Sequence, residues 1–532
     1  MLRAGVISLL LVTAGIGAYG SGTDGVNETC ESNKTNGAGA EYRVGGQVSA
    51  SAGDREPLWL NANRYGLSSL KRANGYVRAG IFRDITNDTL CKWRYGYGAD
   101  VAVAAGFTSS VVVQQAYAEG QWQFIRLTAG SKEYPLELKN QELSSGSQAL
   151  GVNARPVPQL RLSMPDYVAI PYTRGWLAFK CHGAYGKMTD DSWQRDFTQC
   201  RKAYTEGVLY HSKAGYVRIG PGRINFELGL EMGCLFGGKA HWFNGTNERV
   251  IENETGFSAY LHALTAGGSD VTDGDYKNSE GNHVGNWTAR LNIDRDSWRL
   301  GLYVDQMFED NSMMVHIAYN GWGEGETAFQ HTRSRYFVYD FKDGLLGVEL
   351  QLKKCRLLSD IVVEFLTSKY QGGPVYHDIT TNIGEHITGR DNYYNHHLFN
   401  CWQHWGQVMG NPLYRSPLYN DDGKISVYNN RFTAWHAGIS GNPSERWHYR
   451  LLATWQRGYG TYNRLLLDKP VNVSLLAEAT YGFAGHSSLG GWHVKAAFGL
   501  DWGGIYGKNA GLQLSVVKTG RVKWGNHENK RK

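Results

Sequence analysis

Between Gly389 and Asn420, six tyrosine and tryptophan residues (Tyr393, Tyr394, Trp402, Trp405, Tyr414 and Tyr419) are interleaved with Asp391, Asn392, Asn395, Gln403, His404 and Asn411. A sugar presents hydroxyl groups beside an apolar C–H face. It is therefore met by flat aromatic rings next to amide, carboxylate and imidazole groups. On that ground Asn392, Tyr393, Tyr394, Trp402, Gln403, His404 and Trp405 are the candidate glycan contacts. The same residue types also suit a loop packed inside a barrel or an aromatic belt at a membrane interface. Residue types alone leave these readings open.

Other chemistries find less support. His396, His397 and His404, with His386 nearby, have no cysteine or carboxylate at a metal-ligand offset, and His397 to His404 is an i, i+7 spacing. No G-x-S-x-G elbow is present for a serine hydrolase. Gly96-Tyr97-Gly98 and Gly323-Glu324-Gly325 lack the strand–helix context of a nucleotide loop. No catalytic residue, metal site or cofactor is expected. The seven cysteines include no C-x-x-C pair. The net charge of +6 comes from interspersed acids and bases, with no basic face for a nucleic acid.

The elements that must carry the aromatic stretch follow a period of two. In Arg446–Gln456, Trp447, Tyr449, Leu451, Ala453 and Trp455 fall on one face. Arg446, His448, Arg450, Thr454 and Gln456 fall on the other, with Leu452 the exception. The alternation recurs at 223–231, 287–293, 298–305, 346–353, 492–501 and 512–516. Apolar faces ending in aromatics suit lipid, and the polar faces carry both signs of charge, which suits a filled lumen. Short links such as Asp294–Ser297 contrast with long ones near 235–282, 309–333 and 370–425. Trp122 is read as starting a new strand after Glu119-Gly120-Gln121, and the last strand as Gly511–Val517.

The fold class is therefore all-β: a transmembrane antiparallel β-barrel of about 18 strands with long extracellular loops and an occluded lumen. A low mean hydropathy of -0.43 fits strands that are half polar. The chain divides into a signal peptide at 1–20, a flexible lead-in at 21–39, the barrel at 40–524 and a basic tail at 525–532. Met1-Leu2-Arg3, the apolar run to Ala18 and the Ala18-Tyr19-Gly20 site carry the first assignment.

A second cluster holds four of the twelve prolines within 156–171. Proline is excluded from central ladder positions, so this stretch is a stiff segment at a strand end, a bulge or a turn. Asn153, Arg155, Pro156, Pro158 and Gln159, followed by Met164-Pro165-Asp166-Tyr167 and Pro171-Tyr172-Thr173, resemble the signature of the Wzi family of capsule assembly proteins. So do Arg390 and Asp391 in Gly389–Asn395, and Asn411 and Pro412 in Gly410–Leu413. Tyr210-His211, Val217–Gly220, Asp343–Leu345 and Gly372–Asp378 extend the likeness, which is of a Bacteroidota type. The resemblance implies an outer-membrane barrel of a Gram-negative bacterium that binds capsular or exopolysaccharide without catalysis and supports capsule assembly or surface attachment. It further implies outer-membrane lipids and the barrel assembly machinery as partners, and a monomer. The alternatives are an oligosaccharide channel or porin and, less favoured, a barrel hydrolase. A periplasmic helical bundle found in enterobacterial members has no counterpart before the first expected strand, near Glu41–Ala50.

Overall fold

The computed structural model describes residues 39–85, 92–245, 247–268, 280–309, 326, 330, 343–376, 387–484 and 487–523. The expected signal peptide, most of the lead-in and the basic tail lie outside these residues.

Eighteen strands form one closed antiparallel sheet. The first nine are β1 Gly39–Ala52, β2 Ala73–Arg83, β3 Trp93–Ala105, β4 Val111–Trp122, β5 Ile125–Ser131, β6 Gln159–Ala169, β7 Leu177–Lys187, β8 Leu209–Ile219 and β9 Ile224–Phe236. The rest are β10 Asn282–Asp294, β11 Trp298–Phe308, β12 Gly344–Leu352, β13 Asp360–Thr367, β14 Arg431–Ser444, β15 Trp447–Gly460, β16 Val471–Gly482, β17 Trp492–Gly503 and β18 Lys508–Lys523. β1 pairs with β2 on one side and with β18 on the other, from Gly39 opposite Lys523 to Ala52 opposite Ala510. That seam leaves no free edge.

Two strand boundaries differ from the expectation. Trp122 ends β4 rather than opening a new strand, and the turn follows it at 123–124. The last strand continues through Lys518–Lys523, because these polar residues find ladder partners in the first strand.

Links at the end that holds Gly39 and Lys523 include the short turns 123–124, 220–223, 295–297 and 445–446. Links at the other end include 132–158, 188–208, 237–281, 309–343 and 368–430. Short turns lie on the periplasmic side of such barrels and long loops on the extracellular side. Val48, Val77, Val103, Leu160, Leu162, Leu512 and Leu514 are exposed on the outer face. Near the periplasmic ends, Trp93 pairs with Trp122 and Trp447 with Tyr481. Near the extracellular ends stand Phe365, Trp435, Trp455 and Trp502. An apolar band between two aromatic girdles is the outside of a membrane barrel.

The main hydrophobic core lies inside the barrel. It joins inward residues of the wall (Tyr210, Val284, Tyr303, Leu345, Leu366, Leu476) to residues of the inserted loops (Leu58, Leu60, Leu143, Trp402, Leu413, Val427). Leu452, which breaks the alternation of β15, points inward and joins this core. The lumen charges are matched: Arg290 with Glu349 at 2.6 Å, Arg43 with Asp100 at 2.6 Å, and Arg450 and Arg64 with Glu478 at 2.9 Å each. Among the described residues, three short α-helices lie in loops: α1 Leu58–Asn61, α2 Asp191–Thr198 and α3 Phe257–Thr265.

Candidate functional site

Two loops that are remote in sequence meet inside the barrel and form a plug. The loop after β5 enters through Ser144–Ser147. The Ser144 hydroxyl and the Ser145 N–H donate to the Glu364 carboxylate at 2.6 and 2.8 Å, and Ser147 donates to Glu231 at 2.8 Å. Tyr303 and Tyr216 donate to the same two carboxylates, so each buried charge is satisfied. Glu364 escaped the sequence reading. Its signal is an acid at an inward strand position with no cation at an adjacent strand position. Deeper in the loop, Lys139 pairs with Asp305 at 2.6 Å, and both side chains are fully buried.

The plug closes where the two motif clusters touch. Gly151 N–H donates to the Met409 carbonyl at 2.8 Å, Asn153 to the Val408 carbonyl at 3.0 Å and Trp402 Nε1–H to the Ala149 carbonyl at 3.0 Å. The Tyr394 hydroxyl donates to the Gln148 carbonyl and accepts from Asn411 N–H. Asn411 in turn holds Ser145 and Gly146, while its side-chain oxygen accepts from Leu413 N–H. Pro412 is buried beside Gly146. Pro156 and Pro158 lead out of the plug to Gln159, the first residue of β6. Pro165 sits at the register break between Met164 and Val168, and Pro171 lies in the next periplasmic turn. A cavity of about 300 Å³ remains between the plug and the wall, lined among others by Tyr134, Gln159, Arg161, His182 and Tyr216.

This placement divides the candidate glycan contacts. Tyr393, Tyr394, Trp402, Gln403 and His404 are between 0% and 3% exposed. Their polar atoms are turned to internal partners: Gln403 to Asp190 at 2.8 Å, and His404 to the Arg155 carbonyl at 2.9 Å and to Thr189. Burial gives these five a packing position inside the plug. The aromatic–amide pattern is compatible with a dry loop because such amides find internal partners, as Asn411 does in the Gly146 carbonyl and Gln403 in the Asp190 carboxylate. Asn392 and Trp405 are half-buried and keep solvent contact. Trp405 lies under the Arg155 guanidinium at 4.3 Å, and Arg155 reaches Thr108 and Ser109 of the β3–β4 turn at the extracellular mouth. Arg390 is exposed and Asp391 half-buried at the rim. His377 and Asp378 lie outside the described residues.

Burial dominates the electrostatics. It holds the His404 imidazole below its ordinary range, with Asp190 and the Arg155 carbonyl partly offsetting it. It holds His396 well below that range. Burial pulls the Arg155 guanidinium down to about 10, against the pull of Asp190. Tyr393, Tyr394 and Tyr414 are pushed well above the usual phenol range by burial. Neutral histidines and tyrosines are what a dry plug requires. Tyr394, Asn400 and Trp405 all hold left-handed backbone (φ 68°, 58° and 54°), a conformation that packing must enforce on non-glycine residues. No group of three or more metal-ligating side chains occurs among the described residues. Among the described residues, Cys181, Cys200, Cys355 and Cys401 are free thiols.

The fold and the filled lumen define an outer-membrane β-barrel plugged by its own extracellular loops. The chain belongs to the Wzi family of capsule assembly proteins, whose family model matches residues 34–327. Among solved structures it is similar to Wzi of Escherichia coli, described as an outer-membrane protein involved in group 1 capsule assembly and a carbohydrate-binding β-barrel. That likeness has a TM-score of 0.51 at 10% identity and covers 93% of this chain and 87% of that one. It is also similar to OccK3 of Pseudomonas aeruginosa, with a TM-score of 0.44 at 9% identity over 91% and 96% of the two chains. No curated protein matches it in sequence.

Proposed function

We propose that this chain holds capsular or exopolysaccharide at the cell surface and so supports capsule assembly, acting without catalysis and as a monomer inserted by the barrel assembly machinery. The observation that carries the reading is the plug. A lumen packed with Trp402, Tyr394, Tyr414 and Leu413, each at most 1% exposed, suits a rigid platform better than an oligosaccharide channel. The E. coli Wzi barrel, to which the fold is similar, is a carbohydrate binder, and this supports a polysaccharide as the partner. Within the candidate set, Trp405 and Asn392 are the members proposed to touch the polymer, because they combine an aromatic face and an amide at the mouth. The buried members would hold that face in place.

The test is cell-associated polysaccharide in cells lacking the chain, complemented with wild type or with Trp405→Ala. Wild type should restore retention, and the variant should restore several-fold less at equal surface level. Equal retention with and without the chain overturns the proposal. A steady open conductance in planar bilayers would favour the channel reading. Release of cleaved capsule fragments, seen by mass spectrometry, would favour a hydrolase.

A further inference from the structure

We infer that the outer wall above the extracellular girdle at β13–β15 binds the phosphate groups of an outer-leaflet lipid. The girdle fixes the level. Phe365 is in register with Trp435, and Trp435 with Trp455; the Phe365 and Trp435 rings lie 4.8 Å apart. Aromatic rows of this kind mark the membrane–water interface. Two residues further toward the extracellular end stand Thr367, Thr433 and Arg457, in register across the same three strands. Two residues beyond these come Lys369 and Arg431. At about 3.3 Å per residue along tilted strands, these cations stand roughly 7–13 Å past the aromatic row, at head-group depth.

They face outward. Arg457 is exposed between the inward Gln456 and Gly458, and it leans over the Trp455 ring at 5.4 Å. Arg431 stacks on Tyr462 at 3.8 Å and donates Nε–H to the Lys369 carbonyl at 3.0 Å. That bond fixes the guanidinium while its two terminal nitrogens make no hydrogen bond among the described residues. Lys369 lies over Tyr459 at 5.4 Å, and the exposed Arg390 shares the Tyr462 ring at 4.9 Å.

None of these four cations forms an ion pair among the described residues. At the opposite end some exposed cations pair with acids, as Arg223 does with Asp296 at 2.9 Å and Arg521 with Glu41 at 2.8 Å. Unpaired cations on the lipid side of the wall, braced on aromatic rings, call for an anion from the membrane itself. The planar fork of arginine matches a phosphate. A soluble acidic polymer would be met by loop tips or the mouth, not by the outer wall at this depth.

The test titrates the full barrel in detergent with diphosphorylated lipid A and with the same lipid stripped of phosphates, read by native mass spectrometry. Wild type should bind the phosphorylated lipid and not the stripped one. The triple variant Lys369→Ala, Arg431→Ala, Arg457→Ala should bind it on the order of a hundredfold more weakly. A heat-modifiable gel shift checks that the variant barrel is folded. Equal binding by wild type and variant, or no binding by wild type, overturns the inference. In a separate titration with an acidic polysaccharide, a variant that keeps the lipid but loses the polymer also overturns it and reassigns the patch to the polymer. The lipid titration contains no polysaccharide, so its failure leaves the capsule reading untouched.

Discussion

His404 and Arg155, 249 residues apart, are joined by a hydrogen bond of 2.9 Å from the imidazole Nδ1 to the main-chain carbonyl of Arg155. Nε2 accepts from the Thr189 N–H at 3.3 Å, which assigns the proton to Nδ1. One neutral ring thus ties together three loops, those after β5, β7 and β13. His404→Ala should leave a buried carbonyl and a buried N–H without their partner, a cost of about 2–4 kcal/mol. Faster hydrogen exchange at 150–157 and 403–409, with the strands unchanged, is the expected measurement.

Acid should loosen the plug. Burial holds His404 below its ordinary range and His396 well below it. The unfolded loop takes up protons near pH 6.5 that the packed loop refuses, so the stability present above that pH is lost as pH falls below it. Each histidine contributes up to about 1.4 kcal/mol per pH unit over that window. Protection factors in 394–410, corrected for the intrinsic exchange rate at each pH, should fall from pH 7.5 to 4.5, and His404→Gln should weaken that dependence.

Trp402 is fully buried, and a Cβ added at Gly233 of the wall would overlap its ring. Trp402→Ala should cost about 3–5 kcal/mol through the cavity it opens. Gly233→Ala should cost about 1–3 kcal/mol by overpacking. The double variant Gly233→Ala, Trp402→Phe should recover part of that loss. Thermal melts of the purified barrel, with intrinsic fluorescence as the probe, distinguish the three.

Lys139 and Asp305 form a buried pair at 2.6 Å between plug and wall. Lys139→Met leaves the carboxylate uncompensated and should destabilise the plug by about 3–5 kcal/mol. Adding Asp305→Leu should restore most of it. If the double variant is no more stable than the single one, the carboxylate has a further partner.

The barrel wall was legible because lipid outside and polar filling inside impose a period of two on every strand, seen plainly in Ile224, Phe226 and Leu228 against Asn225 and Glu227. The one exception in β15, Leu452, reads correctly only once the plug is known, since an inward leucine needs an apolar loop to meet it. The end of the last strand is hidden in the sequence because Lys518, Thr519, Gly520 and Arg521 carry no alternation; their pairing is supplied by β1, from the far end of the chain. The site was half legible. Both motif clusters stood out, but an aromatic–amide pattern is the same whether its hydrogen-bond partners are sugar hydroxyls or backbone carbonyls. Contacts such as Asn153 to Val408 leave no local trace in the sequence.

The seam between β1 and β18 runs along all 14 residues of the first strand. It also sets an order in time. The first strand made can gain its second neighbour only when the last has been made, so one open edge must be shielded while the other sixteen strands assemble. Truncating β18 would strand an otherwise complete wall in its most aggregation-prone form, whatever the quality of the plug inside.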